Sequence, residues 1–254
     1  MDDHAAPRDV PNPHAAELFR HKLAVLAEVG IPVAKNVSIL DYGCGPGDTV
    51  LAIVNGGYDH AVGYDIRNYL GKYVDRNRYF FDASGHLPFP DNQFDFVISD
   101  QVFEHVLDQD LAFKEIFRVL KPGGVSLHSI PAKYCLLEPH LRVPVGYLLQ
   151  RRWWYTMWAL LGFRPPSMPN ATWRQTVERN LRYSKVGLKY LTDGEYRRMW
   201  KRIGFEFKFV EDVYMRTSRS RRTLQLAKVA AIFPPLHWLI RQTWERVPLL
   251  RKPA

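Results

Sequence analysis

Val37-Ser38-Ile39-Leu40-Asp41-Tyr42-Gly43-Cys44-Gly45-Pro46-Gly47-Asp48 sets a short apolar run against a glycine-rich turn, and Asp48 to Val54 then reads as a helix. A buried strand over 37–40 feeding such a turn brings backbone N–H groups close to a ligand, because glycine lets the chain bend tightly. The turn alone does not name the ligand, since nicotinamide-binding folds use a similar one. Three features point away from a dinucleotide. Asp41 precedes the glycines, where an anion suits a cationic group better than a pyrophosphate. The spacing is Gly43-x-Gly45-x-Gly47, with Asp48 where a dinucleotide fingerprint has its last glycine. Asp65 lies 20 residues after Gly45 and closes a second strand, where a carboxylate can accept both hydroxyls of a ribose.

Outward from this stretch, helices and strands alternate. Asn12-Pro13 is a helix start, and Leu18, Phe19, Leu23, Leu26 and Val29 keep helical spacing until Gly30-Ile31-Pro32. Residues 61–65, 78–81, 94–99 and 125–130 read as further strands, with a helix capped by Asp108 before Lys121-Pro122-Gly123-Gly124. Alternation of this kind implies a parallel sheet covered on both faces. A strand over 205–213 and one near Val247 to Leu250 would complete it as an antiparallel pair, with Pro248 restricting the last to an edge or bulge. The expectation is an α/β, Rossmann-like fold: a seven-strand, mostly parallel sheet with helices on both faces, plus a cap. The division expected is 1–36 as an N-terminal helical segment, 37–130 as the core, 131–200 as the cap, and 201–254 as terminal strands with a basic, aromatic tail.

Taken together, five ordered motifs resemble the class I S-adenosylmethionine-dependent methyltransferases, and most closely the ubiquinone/menaquinone-biosynthesis (methyltransferase type 11) subgroup. They are Asp41 to Gly47 with Asp65; Asp82-Ala83; Leu87 to Asp95; Glu104-His105-Val106; and Leu120 to Gly124. The resemblance spans about residues 37–130. It implies S-adenosyl-L-methionine as cofactor, with Asp41, Gly43 and Gly45 around the methionine part, Gly47 also in the cofactor-binding turn, and Asp65 on the ribose. Asp82 and Ala83 would flank the adenine, and Ser99, Asp100 and Gln101 would open onto the sulfonium and the acceptor. Some members of the family bind a divalent metal through Glu-x-x-Glu-His at this point; Gln101-x-x-Glu104-His105 lacks one anionic ligand, so no metal is expected.

Methyl transfer needs alignment of two partners, and a base only where the acceptor must lose a proton. His140 and His105 are the candidate bases, both beyond carboxyl ends of strands; each also fits a structural role. The expected acceptor is a small or lipid-linked molecule, methylated at oxygen. A nucleic-acid methyltransferase is disfavoured, because base-amine methylation usually brings Asn/Asp-Pro-Pro-Tyr/Phe where this chain reads Ser99-Asp100-Gln101-Val102. A non-catalytic donor-binding protein is the other alternative.

Composition sharpens the picture of partners. The net charge of +9 divides into −7 over residues 1–141 and +16 over 142–254, and all seven tryptophans, Trp153 to Trp244, fall in the second part. From Arg216 onward nine basic residues face one acid, Glu245, among Ile232, Phe233, Trp238 and Leu239. Basic and aromatic residues together suit the headgroup region of an anionic membrane, although they equally describe a solvated basic face over a core. The apolar run 143–163 carries Arg151-Arg152 near its middle, which argues against a span and for a lid or interfacial helix. Met1-Asp2-Asp3-His4 lacks a secretory start, and Cys44 with Cys135 makes no disulfide framework. A cytoplasmic protein that attaches reversibly to the inner membrane face is the expectation; the oligomeric state is not legible.

Overall fold

Strand residues in the first sheet segment alternate between two cores, which fixes the layers of the molecule. The computed structural model describes residues 12–69, 76–233 and 235–254, so the reading of Met1 to His4 lies outside the described residues. Helix α1 (Pro13–Glu28) is capped by Asn12, whose side chain accepts from His14 N. It leads to β1 (Ile39–Tyr42), α2 (Asp48–Asn55), β2 (Ala61–Asp65), β3 (Tyr79–Phe81) and β4 (Phe94–Asp100). Helix α3 (Gln109–Val119) starts at Asp108, which accepts from Leu111 N, and runs straight into β5 (Leu120–Pro131).

Ile39, Phe96 and Ile98 point to one face and pack with Phe19, Val25 and Leu26 of α1. Their neighbours Leu40 and Val97 point to the other, against Phe113 and Ile116 of α3. This is the period-2 alternation of a sheet buried on both sides.

Beyond β5 come a small hairpin, β6 (Leu137–Glu138) and β7 (Val143–Pro144), then α4 (Arg152–Leu160) and α5 (Trp173–Val186). Leu141, Val143, Tyr155, Ala159 and Val177 form a separate small core there. Next are α6 (Asp193–Ile203), β8 (Glu206–Phe209), α7 (Glu211–Arg216), α8 (Arg221–Ile232), α9 (Pro235–Thr243), β9 (Glu245–Arg246) and β10 (Pro248–Arg251).

The main sheet runs β3-β2-β1-β4-β5-β10-β8, with β9 pairing the end of β5. Neighbours from β3 to β5 are parallel, and β10 is antiparallel to both β5 and β8. The seven-strand, mostly parallel Rossmann-like sheet is therefore present. Pro248 is accommodated as the first residue of β10, opposite Phe209, where a missing N–H is tolerated. The order reverses between β1 and β4, a crevice at which open α/β sheets bind ligands.

Three local expectations change. The strand read over 205–213 ends at Phe209, because Glu211 and Asp212 open α7 instead. Val210 N donates to Val247 O, and Glu211 accepts from Val247 N at 3.1 Å, so the chain is pinned into a turn. Within 143–163 only the second part is helical. Over 143–149 the chain makes β7 and turns, held by Tyr155 Oη donating to Gly146 O at 2.6 Å and Trp154 Nε1 to Pro144 O at 2.8 Å. The basic tail is also partly structural: buried Arg246 and half-buried Arg241 both pair with Asp193, at 2.6 and 2.8 Å.

Candidate active site

The glycine turn leaves β1 with two positions that only glycine fills. Gly43 and Gly47 have positive φ, and a Cβ would lie 2.5 Å from Val102 side-chain carbons at Gly43 and 2.1 Å from a Tyr79 ring carbon at Gly47. Gly45 is different: a Cβ there would meet nothing within 4 Å, so its backbone lies open. Gly45 N donates to Asp65 Oδ2 at 2.9 Å, and Arg67 N donates to Oδ1 at 3.1 Å. These two bonds fix the carboxylate at the end of β2 and leave further lone pairs for a ligand. Beside it lies a shallow groove lined by Cys44, Gly45, Pro46, Asp65, Tyr79 and Phe80, among others.

Asp82 adjoins this end of the sheet, its N donating to Asp65 O at 3.3 Å. Its carboxylate accepts from Ser84 N, and the Ser84 hydrogen bonds hold its pKa below the ordinary carboxylate value. Ala83 is exposed on the same turn.

Asp41 is buried within β1, and burial pushes its carboxyl up from 3.8 to about 7. The opposing influence is Lys22 of α1, a fully buried lysine. Its Nζ donates to Ser99 O at 3.1 Å and Ser129 Oγ at 2.9 Å and lies 3.4 Å from Asp100 Oδ1. Lys22 was not among the residues singled out from the sequence. Its signal was present, for it occupies the buried stripe of α1 with Phe19 and Leu26.

Ser99, within β4, does not bring its hydroxyl to the groove. That group is buried and bonds His128 Nδ1 at 2.8 Å. Gln101 takes a left-handed backbone, φ 53°, and its Nε2 donates to Glu245 Oε1 at 2.9 Å. Burial lifts the Glu245 carboxyl to about 8. Because Glu245 is 144 residues away, no local spacing could announce it.

His105 and His140 come together. Their Nε2 atoms are 3.2 Å apart and the rings are nearly perpendicular. His105 Nδ1 bonds Gly187 O at 3.0 Å, and His140 Nδ1 bonds Glu138 Oε1 at 2.9 Å. Glu138, fully buried, also accepts from Tyr190 Oη at 2.8 Å and from Leu141 N. Burial lowers the His105 imidazole. Burial alone would lower His140 too, but the Glu138 carboxylate more than offsets it, and the net direction is upward. Glu104 is buried beside the pair, 3.8 Å from His105 Nε2, and burial lifts its carboxyl to about 7. Glu104 stands in a motif already noted, and Glu138 lies two residues before His140; neither was among the residues expected at the site.

This end of the sheet combines a doubly wound fold, a glycine turn at the switch point and a fixed carboxylate on the adjacent strand, which define a nucleotide-type binding domain. Residues 40–127, about a third of the chain, match the family described as methyltransferase domain. The chain is 32% identical over 123 residues to sterol 24-C-methyltransferase of Aspergillus fumigatus, covering 44% of this chain and 32% of that protein. It is 37% identical over 121 residues to the ubiquinone/menaquinone biosynthesis C-methyltransferase of Vibrio parahaemolyticus, covering 43% and 46%. The alignments thus span less than half of each of these relatives, 32% and 46%. The solved S-adenosylmethionine-dependent methyltransferase from Mesorhizobium loti superposes with a TM-score of 0.52 at 16% identity, over 93% of this chain and 97% of that one, which shows the fold.

Proposed function

We propose that the chain is an S-adenosylmethionine-dependent methyltransferase acting on a small or lipid-linked acceptor, with oxygen as the atom methylated. The observation that carries the donor assignment is Asp65, fixed by Gly45 N at the mouth of the groove. In this reading Asp65 takes the ribose hydroxyls, and Gly43, Gly45 and Gly47 pass the backbone close to the methionine part. Asp82 and Ala83 flank the base, while Asp41, costly to ionise when empty, meets the donor's positive charge. When bound, the donor supplies a methyl group on a sulfonium that leaves as a neutral thioether.

The protein's remaining tasks are alignment and removal of one proton. Gln101, Glu104 and the histidine pair occupy the segments beyond β4 and β5. Within that pair His140 is oriented by Glu138 as a base is oriented in a catalytic triad. It takes the acceptor's proton, with His105 beside it as the alternative base, and residues 131–200 serve as the acceptor-binding cap. Methylation at carbon is the second reading, favoured because both relatives are C-methyltransferases; it also requires a base.

Calorimetry on the purified chain tests the donor site. Asp65→Ala is expected to weaken both S-adenosylmethionine and its demethylated product by about 1.5–3 kcal/mol, the range of charged hydrogen bonds. No binding by folded wild type, or tighter binding of NAD, overturns the assignment.

For a lipid-linked acceptor the reading extends to an anionic membrane surface. No helix among the described residues is long and apolar enough to cross a membrane. Trp153, Leu160 and Leu161 at α4, Ile232 and Phe233 at the end of α8, and Trp238 and Leu239 on α9 are exposed. Arg151, Arg152, Arg221 and Arg222 are exposed near them in the chain. Each basic residue near an anionic leaflet adds about 1 kcal/mol. Co-sedimentation with anionic vesicles that fades with salt is expected; no binding at low salt ends this extension.

A further inference from the structure

Two imidazoles facing each other through the same kind of nitrogen pose an electrostatic question. Gly187 O can only accept, so His105 Nδ1 must carry a proton; the Glu138 carboxylate places the other proton on His140 Nδ1. If both rings are neutral, two unprotonated Nε2 atoms confront each other at 3.2 Å. Lone pair against lone pair is repulsive unless a positive charge lies between. Adjacent to them, both oxygens of buried Glu104 lack a hydrogen-bond partner, although a buried carboxylate needs donors or a cation. Glu104 is fully buried, and its Oε1 is 3.8 Å from His105 Nε2.

From this arrangement we infer that Glu104, His105 and His140 form a site for one divalent transition-metal cation of the zinc type. Their ligand atoms all lie within 4.8 Å of one another. Two nitrogens bound tetrahedrally at roughly 2.0–2.1 Å are about 3.3–3.4 Å apart, close to the separation present. Two histidines and one carboxylate are a ligand set that zinc accepts while keeping a further position open. The outer partners are also in place: Glu138 on His140, backbone Gly187 O on His105, and Tyr190 and Leu141 N on Glu138. Both rings are partly exposed, at 37% and 27% of their side chains, so the site opens on one side.

The ligand that Gln101 fails to supply is thus made good by a residue 35 positions beyond His105. With the cation bound, the two imidazoles are ligands. A hydroxyl on its open position then becomes more acidic, which replaces the free base. The inference rests on no part of the donor assignment.

Cobalt(II) is the probe, because its visible absorption reports coordination without any turnover. The full chain, stripped with a chelator, is titrated with Co²⁺, and bound Co²⁺ is then displaced with Zn²⁺. One equivalent of Co²⁺ with the absorption of nitrogen–oxygen coordination is expected. His105→Ala, His140→Ala and Glu104→Gln are each expected to abolish that spectrum, and Glu138→Gln to weaken binding roughly 10–100-fold. Circular dichroism and calorimetric binding of S-adenosylmethionine show whether each variant is folded. A variant that keeps both while losing cobalt supports the site; cobalt uptake without donor binding by wild type supports it and sinks the donor reading alone. No stoichiometric uptake by wild type, or a spectrum unchanged in the His105→Ala/His140→Ala double variant, overturns the inference and leaves a shared proton between the rings.

Discussion

The glycine turn and the histidine pair lie beyond carboxyl ends of neighbouring strands, yet they are built in opposite ways. Around the turn nearly every functional group is main chain, or a carboxylate at a strand end held by main-chain donors. Gly43, Gly45 and Gly47 act through φ and through missing side chains, and Asp65 is oriented by Gly45 N and Arg67 N. Around the pair, the contacts are made by side chains brought from distant points: His105 to His140, Tyr190 to Glu138, Gln101 to Glu245. A turn of the first kind can be recognised from a dozen residues. A cluster of the second kind exists only after the chain has folded, and can change its chemistry without disturbing the sheet.

The sharpest way to break this contrast is to remove the side chain that should matter only to the acceptor. His140→Ala is expected to keep donor affinity and to lower turnover roughly 10²–10⁴-fold, the usual contribution of a positioned proton acceptor. Calorimetry with the demethylated product and a rate measurement with labelled donor separate the two quantities. If donor affinity falls by the same factor, His140 holds the fold together and the division into two kinds of site fails. If His140→Ala and His105→Ala both turn over normally, no base operates here.

A smaller effect is expected at the glycine turn, where the role proposed for Asp41 rests on charge. Its folded pKa of about 7 lies above the ordinary 3.8 because burial penalises the anion. The folded protein without ligand therefore binds more protons than the unfolded chain between those values. The resulting stability is present below pH 3.8 and lost as pH rises through 7. Asp41→Asn should raise the melting temperature of the ligand-free protein at pH 8, and it should also weaken the donor roughly 10–100-fold, as loss of a charged contact does. A variant that binds donor as wild type does would remove Asp41 from the site.

How far the sequence carried the reading follows the same division. Ile39, Leu40, Phe96 and Val97 announced a two-faced sheet, and Gly43 to Gly47 with Asp65 announced the turn, because both signals are local. Phe205 to Val213 looked like one long strand; Val210, Glu211 and Val247 form the contacts that end it, and those span more than 30 residues. Lys22 was legible as a lysine on an apolar stripe, but nothing nearby told that Ser99 O and Ser129 Oγ would receive it. Ser99 shows the converse. Its place near the carboxyl end of β4 suggested a ligand contact, but its hydroxyl is buried and bonds His128.

His128 supplies the smallest effect and a test confined to the scaffold shared by both sites. It lies on β5, fully buried, with edge-on contacts to Phe103 and Phe113 at 5.1 and 5.5 Å between centroids. Burial, aided by the charge of Lys22, depresses its pKa from 6.5 to about 3. The unfolded chain thus takes up more protons between those values, so stability is full above pH 6.5 and declines as pH falls toward 3. For one such group the loss between pH 7 and pH 5 is about 2 kcal/mol. Denaturant unfolding at those two pH values should show the loss in wild type and a markedly smaller one in His128→Asn, which can still hydrogen-bond Ser99 but does not titrate. If the two proteins respond alike, the acid sensitivity belongs to other groups, and His128 is not held neutral by the sheet.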